Sequence, residues 1–205
     1  MGIKERRERE RQITRQAILT AARSIATQEG WAALTIRNVA EQIEYSPPMV
    51  YEYFASKEAL LLELAREGFE QLNAAMQHAH RSAADSEARV FNVGWAYWNF
   101  AVANPHLYQL MHGSSEMPLN KAVMVRAVQE VCATAQTALE LWAQENAVAM
   151  EDAYGATELF WCLLHGFVTL HLLKRIAGDD TRVRALLEHA LRSQLFAWKT
   201  THTAV

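Results

Sequence analysis

The sequence predicts an all-α protein of about nine helices. Apolar residues recur at i, i+3 and i+4 through stretches rich in helix formers. Glycine and proline read as punctuation between those stretches, as at Gly30, Pro47, Pro105, Gly113 and Gly178. No segment alternates apolar and polar residues over the length of a strand. A chain of 205 residues, 51% hydrophobic and 21% charged, is long enough for one full domain or for a small head joined to a larger helical body. Its apolar fraction excludes the disordered class.

Taken in order, residues 9–29 form the first stripe, with Ile13, Ala17, Ile18, Ala21, Ala22 and Ile25 on one face and Gly30 as the stop. Thr35 opens a short helix over 36–43, whose Ile36, Val39, Ala40 and Ile43 share a face. Ser46 is placed to cap a second short helix over 47–54, where Pro47 suits the first position and Val50 and Phe54 read as core. Ser56 starts the next helix. Helices follow over 89–103 and 105–111, then a loop over 113–118 (GSSEMP), then helices over 119–146 and 152–177. The last helix begins at Asp179 and Asp180 and carries Val183, Leu186, Leu187, Ala190, Leu191, Leu195 and Trp198.

Charge is unevenly distributed. Residues 1–23 hold seven Lys or Arg against three Glu, a net of +4, so a chain of net charge −3 carries −7 on the remainder. A basic end on an acidic body fits a small polyanion-binding head, and it equally fits a solvated helix start. The longest purely apolar run, residues 159–164, is far short of a membrane span. No apolar stretch follows the basic N-terminus at once, so no secretory signal is expected there. Cys132 and Cys162 make no disulfide framework, and the expected location is the cytoplasm.

The first fifty-five residues thus hold one long and two short helices joined by tight turns. A helix, a short turn and a second helix is the arrangement that places the second helix in a major groove. The run LTIRNVAEQIEYSPPMVYEYFASKEALL, residues 34–61, resembles the DNA-binding domain of the TetR/AcrR family of bacterial transcriptional regulators over roughly the first 65 residues. YWNFAVANPHLYQLMHG (97–113) and LLHGFVTL (163–170) resemble a C-terminal ligand-domain subtype named for a Trp-His-Gly motif, with Leu164 in place of the tryptophan and His165 and Gly166 retained. The resemblance implies a head over residues 1–55 and a ligand-binding and dimerisation bundle over 56–205. It implies a homodimer on a palindromic double-stranded DNA operator, a repressor's mode of action, and release by a small-molecule inducer. The other reading is a helical ligand-binding or protein-interaction module without sequence-specific DNA binding, which leaves the 34–61 run unexplained.

Residue by residue, the resemblance places Lys57, Tyr51 and Tyr53 at phosphate contacts, although one tyrosine of such a pair also suits the head's core. Thr35 caps its helix and stands where it can also touch phosphate. Arg37 is placed either at the backbone or in solvent. Tyr45, Ser46, Pro47, Pro48 and Met49 lie at the start of the recognition helix, where apolar contact with thymine methyls is expected. Two departures stand out: Glu44 and Tyr45 occupy a turn where relatives carry glycine, and Glu52 would repel a phosphate if it faced one. In the body, Phe91, Trp95 and Trp98 form one helical cluster and Phe160, Trp161, Leu164 and His165 another. With Met111 they suit either ordinary core or a pocket for an apolar or aromatic molecule, in which His165 would orient the ligand.

No enzyme is expected. No histidine follows a Glu by three positions, and the chain has no His-Glu-x-x-His, Cys-x-x-Cys or phosphate-cradling glycine loop. Neither a metal nor a cofactor is predicted.

Overall fold

The computed structural model describes residues 2–113 and 121–201. Among them the chain forms α1 (Ile3–Glu29), α2 (Ile36–Gln42), α3 (Pro47–Tyr51), α4 (Lys57–Arg81), α5 (Ser86–Ala103), α6 (Pro105–His112), α7 (Lys121–Glu145), α8 (Ala153–Leu172) and α9 (Asp180–Thr201). One 3-10 turn, Trp31–Ala33, follows α1, and no strand occurs among the described residues. The loop expected over 113–118 lies, apart from Gly113, outside the described residues, as do positions 119 and 120 of the helix expected after it.

Side-chain caps set most helix starts. Thr35 Oγ1 accepts from the Asn38 amide at 3.0 Å, Ser56 Oγ from Ala59 at 3.2 Å, and Asp85 Oδ1 from Ala88 at 2.7 Å. Asp152 and Asp179 do the same for Gly155 and Arg182. Ser46 departs from expectation: it occupies the cap position of α3, but its hydroxyl accepts no amide. Pro47 and Pro48 remove two donors from that first turn, and the Met49 amide is taken by the Ser46 carbonyl at 3.0 Å. Four helix boundaries move by three residues or more. α1 begins at Ile3 rather than near residue 9, α3 ends at Tyr51 rather than 54, α5 begins at Ser86 rather than 89, and α8 ends at Leu172 rather than 177. The last has a clear cause: Lys174 takes φ 54°, and the Arg175 amide closes back on the Leu170 carbonyl at 2.8 Å. This is a left-handed helix stop made without glycine. Conversely, Gly68, Gly94, Gly155 and Gly166 lie within helices rather than between them.

The described chain divides into two compact units, Met1–Gly68 with His106–Met124, and Phe69–Pro105 with Val125–Val205. In the first, Ile18, Leu19 and Ala22 of α1 meet a core completed by Leu34, Val39, Val50, Leu60 and Leu64, all wholly buried. Phe54 is nearly so, in keeping with its expected core role. α6 belongs to this unit. The Trp31 indole donates to the His106 carbonyl at 2.8 Å, and a Cβ on Gly68 would stand only 2.6 Å from Met111 Sδ and 3.1 Å from Leu107 Cγ. In the second unit, Trp98, Trp142, Leu72, Leu139, Val168, Val183 and Leu187 are buried, and Thr134 Oγ1 donates to the buried Asn73 at 2.7 Å.

Arginines fasten α1 to α4. Glu63 Oε1 accepts from Arg66 at 2.6 Å and pairs with Arg15 at 2.5 Å, while Arg23 lies 3.2 Å from Glu67. The hydrogen bond from Arg66 leads, with that from Arg15, in lowering the Glu63 pKa to about 2, against a burial that alone would raise it. A carboxylate depressed in this way stabilises the folded state at every pH above its unfolded value near 4.5 and gives that stability up as pH falls toward 2. Glu63→Gln is therefore expected to lower stability at pH 7 by about 1–2 kcal/mol, the worth of charge-assisted bonds discounted for solvent screening. Urea midpoints measured from pH 7 to pH 2 should show wild type and variant converging below pH 4.5.

Candidate nucleic-acid interface and the helical body

The turn between α2 and α3 is closed by backbone alone. The Tyr45 amide bonds to the Ala40 carbonyl at 2.9 Å and the Glu44 amide to the Glu41 carbonyl at 3.2 Å, with Glu44 at φ 59°. That pair of bonds ends α2 with its last carbonyls satisfied and turns the chain into α3 within four residues. A glutamate thus holds the left-handed position that glycine adopts without steric cost.

α3 is anchored by Val50, which is wholly buried, and this orients the rest of its short surface. Tyr45 and Tyr51 are each about half exposed, at 50% and 51%. Ser46 and Pro48 are exposed, and Pro47 and Met49 half-buried. Tyr53 is half-buried, and the Arg11 guanidinium lies 5.9 Å from its ring centroid. Lys57, half-buried in the first turn of α4, makes no salt bridge among the described residues. Thr35 is exposed with its oxygen engaged in capping. Arg37 is exposed and already paired, its Nε 2.8 Å from Glu41 Oε1, so its charge is partly answered within its own helix. Glu52 is exposed and ends α3.

Two residues of this surface escape a reading of the sequence. Arg7 and Arg11 line a cleft of about 320 Å³ with Glu10, Thr14, Glu52 and Tyr53. The signal that could have found them is the i, i+4 spacing within the basic N-terminus, which places both on one helix face.

The eight body residues are divided between the two units. Met111 is buried in the first unit, and the other seven belong to the second. Phe91 and Trp95 line a cleft of about 610 Å³ whose other walls include Asp85, Glu87, Glu145, Glu188 and Arg192. Arg192 stacks on Phe91 and Arg184 on Trp95, each at 4.7 Å, so each ring carries a cation on one face. Trp98 is buried, with its ring 5.0 Å from that of His171. Phe160 and Leu164 are buried against Gly94, where a Cβ would meet each at 3.5 Å. Trp161 and His165 are half-buried with their rings edge to face at 6.5 Å. The Trp161 indole donates to the Tyr97 hydroxyl at 3.2 Å. His165 Nε2 lies 3.4 Å from Thr169 Oγ1, and burial lowers its pKa, favouring the neutral ring. Among the described residues no three His, Cys, Asp or Glu group to hold a metal, and no helix is long and apolar enough to cross a membrane.

The turn gives a direct test of its strain. Glu44→Gly should raise stability by about 0.5–1 kcal/mol, because relief of the left-handed penalty exceeds the added freedom of the unfolded chain. A thermal melt of the variant that is unchanged or lower would show that Glu44 is not strained.

Comparison with known proteins agrees with this anatomy. Residues 18–64 match the family model described as bacterial regulatory proteins, tetR family, and residues 90–194 match the Tetracyclin repressor-like, C-terminal domain. The chain is 28% identical over 159 residues to the HTH-type transcriptional regulator YobS of Bacillus subtilis, covering 77% of this chain and 78% of YobS. It is 25% identical over 171 residues to the HTH-type transcriptional regulator Rv0681 of Mycobacterium tuberculosis, covering 82% and 75%. A solved structure of a protein of unknown function from Rhodococcus sp. RHA1 shares the fold at a TM-score of 0.79 and 24% identity, over 90% of this chain and 95% of that one. With both its head and its body matched, the chain belongs to the TetR family of bacterial transcriptional regulators, DNA-binding proteins of the helix-turn-helix type and not enzymes.

Proposed function

We propose that this regulator is a cytoplasmic repressor that holds a palindromic operator as a homodimer and leaves it when an apolar or aromatic small molecule binds its body. The observation that carries the reading is the surface of α3. Val50 holds the helix from beneath, while Tyr45, Pro48 and Tyr51 stand exposed, and Lys57, six residues after Tyr51, makes no salt bridge among the described residues. Apolar and aromatic side chains at the groove with a cation and hydroxyls at its edge divide the work into base contact and phosphate contact.

Two stripes support the dimer. On α8, Leu159, Cys162 and Leu170 are exposed, with Leu173 just beyond the helix, and Gly166 lies between them with open space about its Cα. On α9, which packs on α8, Leu186 and Phe196 are exposed, the latter at 68%. Apolar side chains at helical spacing beside a small residue suit close pairing with the same helices of a second copy, which makes the interface isologous and the operator palindromic.

For the inducer, Trp161 and His165 support the reading better than Phe91 and Trp95, on each of which Arg192 or Arg184 already covers one face. A neutral His165, whose Nε2 meets Thr169 Oγ1, sets a polar ring beside the Trp161 indole, the mix of few polar groups among aromatic surface that a small-molecule site uses. Such a ligand releases DNA only if it binds better to the arrangement that does not hold DNA. α4 carries residues of both units and is one covalent link between them.

Two experiments test this. Lys57→Ala should weaken operator and non-operator binding alike and reduce the dependence of log K on log salt by about one unit. A change in sequence preference with the slope unaltered would make Lys57 a base contact. In sedimentation at micromolar concentration the wild type should be a dimer, and Leu170→Arg with Phe196→Arg should yield folded monomers. A wild-type monomer that still binds DNA tightly would end the dimer reading.

A further inference from the structure

We propose that the first turns of α1 form a second DNA contact, a cationic track of Lys4, Arg7 and Arg11 that lies along the phosphodiester backbone beside the recognition helix. It rests on the family's assignment of the head to DNA.

At about 100° per residue, positions 4, 7 and 11 fall within an arc of about 60° on one face of the helix. Arg7 and Arg11 on that face line the cleft closed by Tyr53 and Glu52, the residues that follow α3. Their charges are unanswered among the described residues, as is that of Arg9 on the opposite face, which does not line that cleft. Arg15 and Arg23 are engaged by Glu63 and Glu67 of α4, and Arg6 by Glu10 at 3.5 Å. Neither Arg7 nor Arg11 has a carboxylate at salt-bridge distance among the described residues, and the guanidinium of Arg11 meets the Tyr53 ring instead. Glu10 and Glu52 also line the cleft and work against an anion there, but Glu10 is answered by Arg6 at 3.5 Å, which leaves one unpaired carboxylate against two guanidinium groups.

Apart from the contact of Arg11 with the Tyr53 ring, the arm packs no side chain into the core. Every residue from 2 to 13 is exposed, and the core of the first unit begins only at Ile18. A guanidinium presents a planar fork of donors that matches phosphate oxygens, and two forks one helical turn apart can follow a strand. Such contacts add affinity and salt dependence without adding sequence preference, because phosphates are the same at every base pair.

The test uses the full chain and a mixed-sequence duplex DNA, with binding followed by fluorescence anisotropy across a salt series. Arg7→Ala with Arg11→Ala should lower the slope of log K against log salt by about two units, near 0.9 for each phosphate no longer neutralised. Replacing both by lysine should restore most of it. Arg9, about 180° around the helix from the track, is the control of equal charge, and Arg9→Ala should leave the slope where it was. An unchanged slope in the double variant overturns the proposal while leaving the head's role intact. So does an Arg9→Ala effect as large as that of Arg11→Ala, since charge alone would then explain binding. Loss of thermal stability in the double variant would also count against it, because the arm would then be structural. A wild-type protein that does not bind the duplex overturns both the track and the reading it rests on.

Discussion

The carboxylate of Glu63 sets the geometry on which the head depends. Gripped by Arg15 from α1 and by Arg66 from its own helix, it fixes the rotation of α1 about its axis relative to α4. With Arg23 beside Glu67 two turns further on, α1 is held at two points, and its apolar face is committed to the core that Val39, Val50 and Leu60 complete. A carboxylate with two guanidinium partners is well suited to this role, because its charge-assisted bonds are directional where hydrophobic burial is not. Once that rotation is set, the direction in which every other residue of α1 points follows from helical geometry.

That constraint sorts the basic N-terminus into separate roles. Arg15 and Arg23 face α4, Arg7 and Arg11 face the cleft at Tyr53, and Arg6 pairs along its own helix with Glu10. A net charge of −3 for the whole chain conceals this arrangement. The relevant quantity for a polyanion is the local field of cations left without partners, and the head concentrates them beside α3. The body follows a related logic with the opposite effect. There Arg184 and Arg192 cover one face each of Trp95 and Phe91, turning what reads as an apolar cluster into a polar-rimmed cleft, and the half-buried aromatic surface shifts to Trp161.

Much of this molecule was legible in its residues because the signals are local. The caps at Thr35 and Ser56 act over three positions, and the amphipathic stripes of α1 and α9 over three or four. The run over 34–61 compresses the head's turn, its buried Val50 and Phe54 and its exposed tyrosines into one contiguous segment, which is why the head was recognisable before its geometry was known. Where a local rule had an exception, reading was less successful. Glu44 and Lys174 adopt left-handed stops that composition assigns to glycine, so α8 ends five residues earlier than the next glycine suggests. Two prolines in α3 deny Ser46 the amide its side chain would have capped.

The sequence by itself determined the order of the helices, most of their caps, the head and the family, since each depends on residues within a few positions of one another. Only the tertiary structure decided which charges remain available and which aromatic faces remain open. Arg15 meets Glu63, and Arg192 meets Glu87 across 105 positions of chain, while Met111 packs near Gly68. Periodicity records which face of a helix a residue occupies, but not what that face meets. A charge is left free or neutralised by a partner brought close through the packing of other helices, and that partner's identity is a property of the fold.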